Sequence, residues 1–161
     1  MQLSTKGRYA VMAMVDLATG EAASGPDCLI SLGEIAARQQ LSLAYLEQLF
    51  SKLRRAGLVH ATRGPGGGYR LARRAGEISV AAVVAAVDEP ISATRCDKND
   101  GGCMVGAAPD GCNQMCQTHD LWNELGRQIV VFLESVTLAD VVEGRVAGRA
   151  MVAPVDVRAA G

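Results

Sequence analysis

The chain is poor in histidine, with two in 161 residues, and poor in aromatics, at 4%. It has no paired catalytic carboxylates in a motif and no nucleophile elbow, so an enzyme is not expected. No apolar run approaches the roughly 20 residues that a membrane-spanning helix needs. The start, MQLSTKGRYA, lacks a charged segment leading into an apolar stretch and a cleavage site. A cytoplasmic protein with no membrane partner is therefore expected. About half the residues are apolar (49%), enough for a real core.

Net charge is small as well, at −1, but it is unevenly distributed. Residues 1–74 hold ten Lys/Arg against five Asp/Glu, a balance of +5; residues 75–161 hold six against twelve, a balance of −6. A basic first half can meet phosphates while the acidic half stays clear. The same asymmetry is also compatible with an ordinary solvated surface.

Hydrophobic periodicity supplies the elements. Residues 5–20 carry Tyr9, Ala10, Ala13, Met14 and Leu17 at helical spacing, and a loop is expected from Gly20 to Pro26. Ser31 with Glu34 reads as a capping box opening a second helix. After the turn Gln39-Gln40-Leu41, Ser42 is placed to cap a third helix with the stripe Leu46, Leu49, Phe50 and Leu53, stopped by Gly57. Two helices across a tight turn form a helix-turn-helix. Strand residues 58–62, the tip RGPGGG and returning strand residues 69–71 then read as a hairpin, the wing. Ser79 to Val87 is a short apolar helix.

On the third helix, the side away from the leucines is read as presenting Ser42, Tyr45, Gln48 and Lys52. Glutamine can read adenine edges; the others can reach phosphates or guanine. Arg63 stands at the root of a tip whose small residues permit close approach to DNA. A phosphate-binding glycine loop is disfavoured, since no Gly-Lys-Ser/Thr ending follows.

Cysteine is concentrated. Cys96, Cys103, Cys112 and Cys116 fall within 21 residues and His119 follows, while Cys28 stands apart as a small loop or core residue. Clustered thiols in a reducing compartment point to metal or redox chemistry. Thiolates with an imidazole suit iron-sulfur clusters and zinc alike. Residues 91–117 have no periodicity and form a long glycine-rich loop. Thr118 then caps a helix to about Ser135 carrying Leu121, Trp122, Leu125, Ile129, Phe132, Leu133 and Val136, a near-heptad stripe fit for dimerisation. The fold class expected is mainly α: a winged helix-turn-helix domain at 1–90, a Cys-rich cluster-binding loop at 91–117, a dimerisation helix region at 118–144, and a weakly ordered tail at 145–161.

Three stretches, LSTKGRYAVMAM, SLAYLEQLFSKLRRAGLV and RGPGGGYRLA, resemble the IscR-like iron-sulfur cluster regulators, a winged-helix family that also holds the nitric oxide sensor NsrR. The likeness continues through AVDEPISATRC, GGC and CQTHDLW and covers roughly residues 1–140. It implies a homodimer on palindromic double-stranded DNA, contacted by Ser42, Tyr45 and Gln48 and by Arg63 with Gly64. It implies a [2Fe-2S] cluster on three Cys and one His, matching Cys96, Cys103, Cys116 and His119, in a regulator whose cluster-loaded form represses cluster-assembly genes. This chain's loop is longer and adds Cys112, so the middle ligand stays open between Cys103 and Cys112. Ala44 stands where these regulators often carry Ser. Alternative readings are a nitric oxide or redox sensor of the same family, an iron-sulfur electron carrier, and a zinc-stabilised interaction module.

Overall fold

The computed structural model describes residues 5–88 and 118–147. Helix α1 (Thr5–Ser24) buries Ala10, Ala13, Met14, Leu17 and Ala18. It runs four residues past the break expected at Gly20. That glycine is a packing residue: a Cβ there would collide with the Ile30 side chain. The helix therefore continues through it, and the chain turns at Gly25, whose φ is +93°.

Helix α2 (Leu32–Gln39) opens with the expected capping box. The Ser31 hydroxyl accepts from the Glu34 amide at 3.2 Å, and the Ser31 amide donates to the Glu34 carboxylate at 2.8 Å. It ends at Gln40 in the left-handed region, φ 54°. Helix α3 (Leu43–Arg55) buries Leu46, Leu49, Phe50 and Leu53. Ser42 has the extended backbone of an N-cap, but its hydroxyl makes no cap bond. At the other end Gly57 (φ +69°) closes a Schellman motif: its amide bonds to Arg54, and that of Leu58 to Leu53, both at 3.0 Å.

Strands β1 (Val59–Thr62) and β2 (Gly68–Leu71) pair antiparallel, Val59 opposite Leu71 and Thr62 opposite Gly68. Ile30 adds a single bridge to Tyr69, with reciprocal bonds of 2.8 and 2.9 Å. Gly68 is required there, because a Cβ would lie 2.7 Å from the Ile30 carbonyl oxygen. Helix α4 (Val80–Ala86) is capped by Ser79.

Helices α5 (His119–Ser135) and α6 (Leu138–Val142) complete the described chain. Thr137 and Asp140 form a second capping box. Reciprocal bonds from Val80 to Val136 and from Leu138 to Ile78 tie this segment to α4. Leu138 is fully buried in the same core as α1, α3 and the hairpin. Val80, Val84 and Val136 form a second, smaller apolar cluster, onto which Phe132, Leu133 and Val11 pack. Arg145, assigned from sequence to the tail, is held by the Asp140 carboxylate at 3.1 Å.

Candidate nucleic-acid interface

Helix α2 is fixed to α1 by a charged clamp. The Asp16 side chain, 7% exposed, accepts from Arg38 Nε at 3.1 Å and from Gln39 Nε2 at 3.0 Å. Burial works to raise its pKa, but the bonds from Arg38 and Gln39 and the guanidinium charge prevail, and the carboxyl titrates below its ordinary value. The clamp sets α2, and through it α3, on the scaffold.

Helix α3 buries its leucine stripe and turns the opposite side outward. Ser42 and Gln48 are exposed, as expected. Tyr45 is half-buried, its ring edge-on to Tyr9 with centroids 6.1 Å apart. Lys52 is also engaged, its ammonium 2.6 Å from the Asp88 carboxylate. That bond holds the Lys52 pKa above, and the Asp88 pKa below, their ordinary values. Leu43 and Glu47, outside the expected contact set, and Ala44, which stands where these regulators often carry Ser, are all exposed on the first turns of α3. A wheel centred on the buried stripe puts Ala44 nearly opposite it.

In the wing, Arg63 and Gly64 are exposed. Gly64 (φ +105°) and Gly66 (φ +76°) adopt backbone that L side chains rarely take, so the tip is a narrow ribbon with Arg63 at its base. Cys96, Cys103, Cys112, Cys116 and the side chain of His119 lie outside the described residues. Cys28 is half-buried and packs against the main core.

A two-helix turn on a clamped scaffold, followed by a glycine-tipped hairpin, defines a winged helix-turn-helix DNA-binding protein. The model of the Rrf2 family, described as iron-dependent transcriptional regulators, matches residues 3–144, and the chain belongs to that family. It is 48% identical over 145 residues to the HTH-type transcriptional regulator IscR of Cronobacter sakazakii, covering 90% of this chain and 82% of that protein. The corresponding regulator of Klebsiella pneumoniae is 47% identical over the same shares. Among solved structures, T. potens IscR superposes with a TM-score of 0.67 at 34% identity, over 95% of this chain and 93% of that one. CymR, the global cysteine regulator of B. subtilis, gives 0.68 at 32% identity, over 89% and 98%. The chain is thus a DNA-binding transcriptional regulator and not an enzyme. Among the described residues, no helix is long and apolar enough to cross a membrane.

Proposed function

We propose that the chain acts as a cytoplasmic homodimer that senses iron-sulfur cluster supply and, when loaded, represses cluster-assembly genes from a palindromic operator. The observation that carries this reading is the donor set of a chain 48% identical to regulators named IscR. Four thiols and an imidazole occur between Cys96 and His119. Three thiolates and a neutral imidazole can complete the coordination of a [2Fe-2S] cluster, so the residues fit the group. Cys96, Cys103 and Cys116 would supply the thiolates and His119 the nitrogen; Cys112 is the spare. The cluster, when bound, supplies a ligand-held iron centre whose occupancy follows supply.

What the protein itself contributes is position. His119 is the first residue of α5, and Asp88 comes two residues after the end of α4. The ligand-bearing segment thus begins beside the winged helix and ends on the helix proposed to dimerise. In the recognition helix Gln48 reads bases, with Ser42, Tyr45 and Lys52 close to the backbone; Arg63 and Gly64 enter the minor groove. An electron carrier would leave this constellation without use.

Anaerobic purification followed by visible absorption and iron and sulfide analysis tests the reading. Iron and sulfide in equal amounts, two of each per chain, are expected. Cys96→Ala, Cys103→Ala and Cys116→Ala should abolish the absorption, and Cys112→Ala should retain it. Zinc in a colourless protein would overturn the cluster assignment. A normal cluster in Cys103→Ala and none in Cys112→Ala would exchange the middle ligand. Cluster-free variants that select DNA as the loaded protein does would remove the regulatory role.

A further inference from the structure

Few large apolar side chains stand in solvent among the described residues, and Leu43 is one, 46% exposed at the first position of α3. It belongs to neither apolar cluster. Ala44, next to it, is also exposed. At about 100° per residue, Ala44 lies nearly opposite the buried stripe of Leu46, Leu49, Phe50 and Leu53. It therefore stands at the crest of the outward side, with Gln48 one turn further on and about 40° around the helix. Leu43 lies about 100° around from this crest, at the edge of the buried stripe, and is open because it is the first residue of the helix.

The N-terminal residues of a recognition helix are those that meet base edges. A polar residue there would exchange hydrogen bonds with the bases; Leu43 and Ala44 can offer only apolar surface. The major groove presents one apolar group, the C5-methyl of thymine. We propose that Leu43 and Ala44 form an apolar read-head that selects thymine by its methyl group, within about two base pairs of the base read by Gln48. The spacing follows from the helix rise: four residues advance about 6 Å, close to two base-pair steps of 3.4 Å. The open shape of Ala44 is part of the device, since a bulkier side chain at the crest would hold the helix off the bases. The inference rests on α3 being the recognition helix of the proposed function.

The test uses the full-length protein and duplexes selected from a random pool, since no operator is assumed. Each thymine of the selected duplex is then replaced in turn by deoxyuridine, in both half-sites together. This removes the methyl and leaves the pairing unchanged. One position should lower affinity by about four- to twentyfold, the loss of one methyl contact in each half-site. Leu43→Ala combined with Ala44→Gly should bind the thymine and uracil duplexes equally. If no position shows a penalty in the unsubstituted protein, the read-head is wrong, whatever the variant does. If the double variant keeps the full penalty, another residue reads the methyl and the assignment also falls. Failure to enrich any duplex would overturn the recognition role of α3 itself, a result distinct from enrichment without methyl dependence.

Discussion

At the scale of single residues, two positions set the energetics near the turn, one stabilising it and the other strained. Asp16 joins α1 to α2 through Arg38 and Gln39. Its pKa is depressed in the folded chain, so its contribution is present above the ordinary carboxylate value and is lost as pH falls through the lowered one. Asp16→Asn should cost about 1–3 kcal/mol at neutral pH, the worth of hydrogen bonds to a charged group. The gap between the two proteins should close in acid. Urea unfolding at pH 7 and near pH 3 measures it; a gap independent of pH would mean that the charge is not what stabilises. Gln40 holds a left-handed backbone, φ 54°, at the end of α2. A side chain there is strained, and glycine relieves the strain at some entropic cost. Gln40→Gly should stabilise by about 0.5–1 kcal/mol, visible as a higher melting temperature, whereas a lower one would show that the glutamine side chain itself supports the turn.

At the scale of elements, α3 and the wing divide the work of binding. Gln48 is exposed one turn into α3, where we propose it meets base edges, while Arg63 sits at the foot of a side-chain-poor ribbon. Arg63→Ala should weaken DNA binding by about 1–3 kcal/mol on selected duplex. Gln48→Ala should narrow the ratio between selected and random duplex more than it lowers the affinity for random sequence. Titrations of both variants at two salt concentrations separate these effects. Equal loss on every sequence for Gln48→Ala would place it on a phosphate instead of a base. At the same scale Asp88, 36 positions away in sequence, pairs with Lys52 on α3.

At the scale of the whole molecule, α5 is the element left incomplete. Three of the five exposed large apolar residues among the described ones, Leu121, Trp122 and Val131, lie on it. In its C-terminal half Phe132 and Leu133 pack on Val80, Val84 and Val136, while Val131 stays exposed. The N-terminal half, with Leu121 at 61% and Trp122 at 41% exposure, has no comparable cover among the described residues. A helix of 17 residues spans about 25 Å, enough for a partner helix to cross. Leu121→Asp with Ile129→Asp should give monomers that lose palindrome binding and keep the winged-helix core. Sedimentation velocity and circular dichroism report both; a stable dimer would move the interface elsewhere. Phe132, part of the stripe read from sequence, is a poor site for this test because its removal also opens the chain's own core.

The elements of this protein were legible from local chemistry alone: the Ser31–Glu34 box, the Gly57 stop, the leucine stripe of α3 and the glycine tip of the wing are short-range codes, each complete within a few residues. The clustered thiols and imidazole are likewise visible in the sequence; their type suits iron-sulfur clusters and zinc alike, and the proposed cluster comes from the family resemblance. What needed the tertiary structure were pairings between distant residues. Gly20 looked like a helix end because its partner, Ile30, lies across the fold. Tyr9 sets its ring edge-on to Tyr45, and Asp88 pairs with Lys52, neighbours that no local pattern names. Leu138 falls in the region read as the dimerisation helix, yet it completes the core of α1 and α3 from a distant part of the chain. Periodicity tells which side of a helix is apolar; only the packed fold decides which neighbour meets each residue, because burial is settled by contacts that sequence distance does not encode.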